Sequence, residues 1–366
     1  MSTMPQKPRL LKSELLSEIY EQPEAIQHML NIEAERVAWI SQQLSPRVFS
    51  YALVAARGTS DNAARYGQYI LGAINRLPVA LAAPSLFTRY HSPPRLEGSL
   101  VIGISQSGQS PDIVSVIEEG RRQGVPTIAI TNDLESPLAQ AAEYKIGLGV
   151  GKERSVAATK TYTAQLTALA LLALSLKGSP IMLDPLEAVP EALAQALNSE
   201  PQAQAAAKKL AASDHTVFIG RGFNYSTAWE IALKCKELAN IQAEALSSAD
   251  FLHGPIAMVD EGFPVNLISI GDTFREELNS LGVTLHARGA RLITIGDAPI
   301  NGHIPGHLEG QVDARDMFIP VPPGLPEWLS PIAAVIPGQL LAYHLAKARG
   351  FDPDQPRVIR KVTLTK

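Results

Sequence analysis

Two stretches of the chain carry side chains whose types and spacing could do chemistry. The first is VIGISQSGQS, Val101 to Ser110. An apolar run breaks into Ser105, Gln106, Ser107, Gly108 and Ser110, and Pro111 and Asp112 then mark the start of a helix. Unsatisfied N–H groups and the positive end of the helix dipole favour an anion at such a junction. The serine hydroxyls and the Gln106 amide add donors, and Gly108 lets the backbone turn close to a ligand. No lysine is present, so this is not a nucleotide P-loop. Two readings remain: a phosphate monoester held by hydroxyls and backbone, or an ordinary Ser/Gly-rich turn with Ser110 as helix cap. The companion RGTSDNAARYG favours the first. Its Gly58, Thr59 and Ser60 also end a strand and open a helix, so two neighbouring strand ends would offer hydroxyls to one crevice.

The second stretch, STAWEIALKCKELANIQAEALSSADFLHGP, reads as a long helix followed by a loop. Glu230, Lys234 and Glu237 recur at i, i+4 and i+7 and share one face. They could form a solvated stripe whose Glu230–Lys234 pair adds about 0.2–0.5 kcal/mol, or they could be acid–base groups. His253 stands beside a Gly-Pro turn, where a side chain is readily positioned for work, although a histidine in a loop is commonly just solvated. His303 and His307 have the spacing of a metal pair. Pro305 and Gly306 between them oppose the helix that would align the rings, and no third ligand is near, so no metal site is expected. The tail DQPRVIRKVT places Arg357, Arg360 and Lys361 in what would ordinarily be a solvated basic terminus.

The elements that must position these groups occur twice. YALVAARGTS and HTVFIGRGFN each end a short apolar strand in Arg-Gly, with Arg57 and Arg221 164 positions apart. LVIGISQSG pairs with VNLISIGDT, and GVPTIAITND with GARLITIGDA, in the same order and at nearly the same offset. Two copies of one domain follow. Each alternates helix-length segments with short β-branched strands that lack polar alternation, the pattern of an α/β domain whose parallel sheet is covered on both faces. Strands are expected near 51–56, 79–82, 100–104, 126–131 and 144–148, then near 215–220, 264–270, 290–296 and 316–320. A helix is expected over 111–123. The domains are read as 51–190 and 205–349, with a helical lead-in over 1–50 and a tail over 350–366.

Composition excludes several function classes. Hydrophobic residues make up 46% and charged residues 19% of the 366, ample for packed cores. The net charge of −4, with both signs mixed along the chain, gives no footprint for nucleic acid or an anionic membrane. The longest apolar run, Leu166 to Leu176, is too short to span a bilayer and reads as a buried helix. Lys7, Arg9 and Lys12 precede no apolar core, so no signal peptide is expected. A single cysteine, Cys235, forbids an internal disulfide and suits a reducing cytoplasm.

Together, RGTS, SQSGQSPD, VAATKTYTAQL, ALKCKELANIQAEA, LHGP and QLLAYHLAKARGFDPDQPR resemble the sugar isomerase (SIS) domain family over nearly the whole chain. More narrowly, the chain resembles the isomerase half of glucosamine-6-phosphate synthase and stand-alone SIS-type glucosamine-6-phosphate deaminases. The resemblance implies two tandem flavodoxin-like SIS domains in a homodimer with a shared active site. It implies that Ser60, Ser105, Gln106, Ser107 and Ser110 hold a sugar phosphate. Thr59 and the backbone from Val156 to Ala158 would line the sugar. Glu237 would shuttle a proton between C1 and C2, with Lys234 near the open-chain hydroxyls. His253 would help open the ring from the partner subunit, and Lys361 would match a tail lysine that can form a Schiff base. A one-residue slip would put Arg360 there instead.

Arg57 stands where the synthase has cysteine, and GKERSVAATK is more charged than its counterpart, so the substrate could differ. The start of the chain shows no cysteine nucleophile of a glutaminase, so ammonia extraction from glutamine is not expected. The resulting expectation is conversion of glucosamine 6-phosphate to fructose 6-phosphate and ammonia, without metal or organic cofactor. A fructosamine-phosphate deglycase and a galactosamine-6-phosphate deaminase stand as alternatives. A sugar-phosphate-sensing regulator is the alternative of another class, and it would ordinarily bring a DNA-binding segment.

Overall fold

The computed structural model describes residues 13–178, 184–300, 316–359 and 361. Its helices in chain order are α1 (Glu14–Tyr20), α2 (Gln22–Leu44), α3 (Thr59–Asn75), α4 (Ser85–Thr88), α5 (Pro111–Arg122), α6 (Pro137–Ala141), α7 (Lys160–Lys177), α8 (Asp184–Glu187), α9 (Val189–Ala196), α10 (Glu200–Leu210), α11 (Tyr225–Ala239), α12 (Ser248–Leu252), α13 (Arg275–Ala287) and α14 (Ser330–Ala348). The strands are β1 (Tyr51–Ala55), β2 (Val79–Leu81), β3 (Ser99–Ile104), β4 (Thr127–Thr131), β5 (Tyr144–Gly147), β6 (His215–Gly220), β7 (Gln242–Ser247), β8 (Pro264–Ser269), β9 (Arg291–Gly296) and β10 (Met317–Pro320).

Two five-stranded parallel sheets form among these residues, ordered β2-β1-β3-β4-β5 and β7-β6-β8-β9-β10. Both have the flavodoxin-like order 2-1-3-4-5, which reverses direction beside the first strand and opens a crevice at the strands' carboxyl ends. The duplication read from sequence is therefore a duplication of topology. Each sheet belongs to its own compact unit. The first unit comprises residues 21–154, 158–178, 184–190 and 361, and the second 13–20, 155–157, 191–300 and 316–359. The helical lead-in divides accordingly: α1 packs on α14 of the second unit, and α2 packs on α7 of the first.

In the first unit, β3 and β4 are buried along their whole lengths because helices cover both faces. On one face Ile113, Val116 and Ile117 of α5 and Leu138 of α6 pack on Leu53, Val101 and Ala129. The other face carries α3 and α7, and α2 packs beyond. The apolar run expected to form a buried helix does so as α7, which is buried all round from Lys160 to Leu174. α5 starts at Pro111, with Asp112 in its first turn and Arg121 and Arg122 in its last, matching the helix dipole at both ends.

In the second unit, Leu278, Leu281 and Leu285 of α13 and Phe251 of α12 pack on Val217, Ile219, Val265 and Leu267. The opposite layer is built on α14, which contacts both α10 and α11. Pro337 lies inside α14 and removes one backbone donor. Its neighbour Gly338 allows α11 to approach closely, since a Cβ there would fall 2.2 Å from Ile231 Cγ1. That contact fixes the helix carrying Glu230, Lys234 and Glu237.

One element departs from the sequence reading. The segment read as a single long helix is α11, then β7, then α12. Asn240 ends α11 in the left-handed conformation at φ 50°, and β7 pairs in parallel with β6 from His215↔Gln242 to Gly220↔Ser247. β7 is the counterpart of β2, and Gln242 follows Val79 at about the offset that relates the two copies. His253 consequently caps the C-terminus of α12 rather than following a long helix.

Candidate active site

Ala55 of β1 lies opposite Gly103 of β3, so the loops that leave these strands are neighbours at the sheet's reversal point. The β3 loop is braced from β4 and α6. Gln106 O accepts the Asn132 N–H at 3.2 Å, and Gly108 O accepts the Leu138 N–H at 3.1 Å. Gly108 has φ 62°, and a Cβ there would fall 2.0 Å from Ser136 Oγ, so both conformation and space require glycine.

The hydroxyls in these loops share one polarity. Ser105 Oγ accepts the Gly108 N–H at 3.1 Å, Ser107 Oγ accepts the Gln109 N–H at 3.3 Å, and Ser60 Oγ accepts Gln165 Nε2 at 3.0 Å. Each hydroxyl has one proton to donate and two lone pairs to accept with. Filling an acceptor position on all three leaves their protons to give away, which suits an anion. Ser110 occupies the N-cap position of α5, yet its side chain makes no capping hydrogen bond. The capping role foreseen for it is therefore not filled, because the backbone alone turns the chain into the helix. Thr59 opens α3, and Ser60 beside it is buried.

Arg57 reaches across these loops to Asp112 in the first turn of α5, with Nη2 2.9 Å from Oδ2. Arg57 is half exposed and Asp112 buried, so the cation stands at the rim and its anchor beneath. Asp61, also beside Arg57, has its carboxyl held above the usual range by burial, against the opposing pull of Arg65 and Arg57.

The loop 151–159 leads into α7 without regular structure. Ser155 gives its N–H to Glu18 Oε2 at 3.2 Å, its hydroxyl contacts the same carboxylate, and the backbone oxygen of Ala157 lies 3.0 Å from Ser155 Oγ. Val156 and Ala158 are partly exposed on either side of buried Ala157. Lys361 Nζ lies 2.6 Å from Glu153 Oε2. Arg360 lies outside the described residues.

On α11, Lys234 is 1% exposed and stands between two carboxylates, 3.5 Å from Glu230 and 2.5 Å from Glu237. Glu230 is fully buried and Glu237 is 24% exposed. The solvated stripe weighed from the sequence is ruled out, and the small worth of an exposed helix pair does not apply. Burying a charged row is costly unless it is paired and hydrogen-bonded. Here one cation locks the carboxylate that reaches solvent, and a base that transfers protons needs that kind of fixed, accessible carboxylate. His253 is exposed at the end of α12.

The second sheet has the same reversal point between β6 and β8, but its crevice is filled. The Phe274 ring lies against Gly222, where a Cβ would fall 2.7 Å from Cε2. Arg221 stacks over that ring at 5.4 Å and faces Glu277 at 3.8 Å. The second copy keeps the turn and gives its space to side chains. Among the described residues, no group of three or more His, Cys, Asp or Glu side chains is arranged to hold a metal ion. His303 and His307 lie outside the described residues.

The SIS domain profile matches residues 51–175 and 209–302. The chain belongs to the SIS domain family. It is 35% identical over 355 residues to the glutamine–fructose-6-phosphate aminotransferase (isomerizing) of Pyrococcus horikoshii, covering 95% of this chain and 57% of that protein. The enzyme of the same name from Gloeobacter violaceus is 37% identical over 361 residues, covering 95% and 58%. The chain thus spans little more than half the length of the curated relatives it matches. The solved structure of the C-terminal domain of glucosamine-fructose-6-phosphate aminotransferase from Francisella tularensis superposes with a TM-score of 0.81 at 28% identity, over 94% of this chain and 99% of that one.

SIS membership fits what each unit shows by itself. Ser60, Thr59, Ser105, Gln106, Ser107 and Ser110 gather at two adjoining strand ends, and Lys234 and Glu237 gather on α11. Sequence reasoning grouped Glu230 with Lys234 and Glu237, but it missed Gln165 and Glu153 as partners of site residues. A glutamine inside an otherwise apolar helix was the available signal for Gln165. Glu153 gave no comparable signal, because its partner lies 208 residues further on.

Proposed function

We propose that this chain is an aldose–ketose isomerase of amino-sugar phosphates that releases ammonia, converting glucosamine 6-phosphate to fructose 6-phosphate. The observation that carries the reading is the buried Glu230–Lys234–Glu237 row, which presents one anchored carboxylate to solvent. The hydroxyls of Ser60, Ser105 and Ser107, each accepting one hydrogen bond and keeping its own proton to donate, support a phosphate-bearing substrate, and the relatives' names support a hexose 6-phosphate.

On this reading the serine loop takes the phosphate, and Ser110, Thr59 and the Val156–Ala158 backbone complete the contacts to the sugar. His253, lent by a partner subunit in a homodimer, assists ring opening to the free aldehyde. Glu237 removes the C2 proton to give the enolamine and returns it to C1, leaving a C2 imine. Water adds to the imine, and ammonia leaves with formation of the ketose. Lys234 keeps the Glu237 carboxylate in place through these transfers. Lys361 is the tail residue that completes the site.

The test is ammonia and ketose release from glucosamine 6-phosphate, galactosamine 6-phosphate and a fructosamine 6-phosphate. Matched fructose 6-phosphate and ammonia from the first alone is the expected result. Turnover of the galacto epimer instead, or release of an amine only from the fructosamine, would replace the proposed substrate. No turnover of any of the three would overturn the reading.

A further inference from the structure

Glu153 has no exposed side-chain surface, and both of its oxygens are fully engaged. Oε1 accepts the N–H groups of Thr159 at 2.9 Å and Thr161 at 3.1 Å. Oε2 accepts the Thr161 hydroxyl at 2.8 Å and the Lys361 ammonium at 2.6 Å. An ionised carboxylate offers about four lone-pair positions, so four donors saturate it. Three of the four come from the first turn of α7, where unsatisfied N–H groups need acceptors. They alone would make Glu153 an ordinary anchor for the helix start. The fourth is different in kind: it comes from the tail and brings a partly exposed cation onto a fully buried carboxylate.

The side chain that Glu153 captures is the tail lysine, and the residues Glu153 fastens begin immediately after the Val156–Ala158 backbone. We propose that Glu153 is a positioning residue, one that docks Lys361 against the start of α7 and so sets where the tail's amine stands during the reaction. This role rests on the proposed function only for its effect on turnover, because the docking itself is independent of substrate. The saturated geometry gives the pair direction as well as attraction. With three lone-pair positions already committed, one remains, and it fixes where the ammonium must sit. A buried pair that loses one partner is strongly destabilised, whereas an exposed pair loses little.

Hydrogen exchange of the peptide carrying Lys361, read by mass spectrometry without substrate, tests the docking. Glu153→Gln and Lys361→Met should each raise its exchange rate by on the order of tenfold or more, as expected for breaking a buried pair. Thr161→Val removes one bond to the same carboxylate and leaves the ion pair, so it should leave that peptide near the wild-type rate. In turnover, Glu153→Gln and Lys361→Met should lower kcat by similar factors with KM little changed, and the double variant should fall no further than either single one. Should Glu153→Gln fail to fold, Lys361→Met against Thr161→Val decides the matter from the other side of the pair. Wild-type exchange in Lys361→Met, equal exchange in Thr161→Val and Lys361→Met, or multiplying losses of kcat would each overturn the proposal. A wild-type enzyme inactive on every sugar phosphate would sink the proposed function while leaving the exchange result standing.

Discussion

Lys234 and Glu237 stand less than one helical turn apart on α11, with the ammonium 2.5 Å from the carboxylate; the lysine is 1% exposed and the glutamate 24%. A buried cation thus holds an accessible anion, in a helix fixed by the Gly338–Ile231 contact. Glu237→Gln keeps shape and hydrogen bonding and removes the carboxylate proposed as the base. Turnover should fall by about 10²–10⁴-fold, the usual contribution of a general acid–base group, while thermal protection by inorganic phosphate stays at the wild-type level. Unchanged turnover would take Glu237 out of the mechanism.

Ser107→Ala removes one of three hydroxyls whose protons are free to be donated. Binding of sugar phosphate and of inorganic phosphate should weaken together, by about 1.5–3 kcal/mol for a hydrogen bond to a charged group. Thermal shift against phosphate concentration measures it. Equal protection of variant and wild type would move the anion site elsewhere.

His253 tests the proposed sharing of the site between subunits. If the chain forms the proposed homodimer with shared sites, Glu237→Gln and His253→Ala, unfolded together in equal amounts and refolded, should recover about a quarter of wild-type activity, because half of the dimers would be mixed and each mixed dimer would hold one intact site. No recovery, with mixed dimers verified by mass, would mean that both residues serve the same chain.

Glu33 gives a pH dependence. It is 2% exposed, and burial raises its carboxyl above the ordinary 4.5, outweighing Arg36 and the Gly147 backbone. The folded state then binds this proton more tightly than the unfolded state. Its contribution to stability is present below pH 4.5 and is lost as pH rises through the folded value. Glu33→Gln should raise Tm at pH 7, with the gain shrinking as the pH is lowered below 4.5. A gain that persists at acid pH would trace to packing instead.

Cys235 should be inert while the chain is folded. It is fully buried, and burial pushes its thiol up to about 12. An aromatic disulfide reagent at pH 8 should find no reactive thiol until guanidinium unfolds the protein, and then one per chain. Prompt reaction of the native protein would show that α11 opens readily.

The central strands were legible because runs such as Leu100–Ile104 and Val265–Ser269 are apolar without alternation, as a strand covered on both faces must be. β7 was not. As an edge strand its residues alternate between exposed and buried, and Gln242, Ala243, Glu244 and Ala245 are all comfortable in a helix. The helical period of α11 therefore runs on in the sequence past Asn240, where the backbone actually turns. The serine loop was readable as donors at a helix start, but its polarity was not, because Gln165 meets Ser60 across 105 residues. The acidic and basic stripe of α11 was visible as a face, while its burial depends on how closely α14 approaches. Local pattern thus located the groups, and tertiary packing decided their condition.

On the proposed function, a phosphate would be held by neutral dipoles: the Ser105 and Ser107 hydroxyls, Ser60 from the adjoining loop, and the backbone, with the nearby guanidinium of Arg57 already committed to Asp112. Screening by dissolved salt weakens attraction between full charges far more than short contacts to oriented hydrogen-bond donors. Affinity for a phosphate ester should then change little with ionic strength. A hold of this kind also discharges its cargo easily, because no opposite charge has to be separated when product leaves. On the proposed function, the residence time of a phosphate ester on this protein should therefore be short.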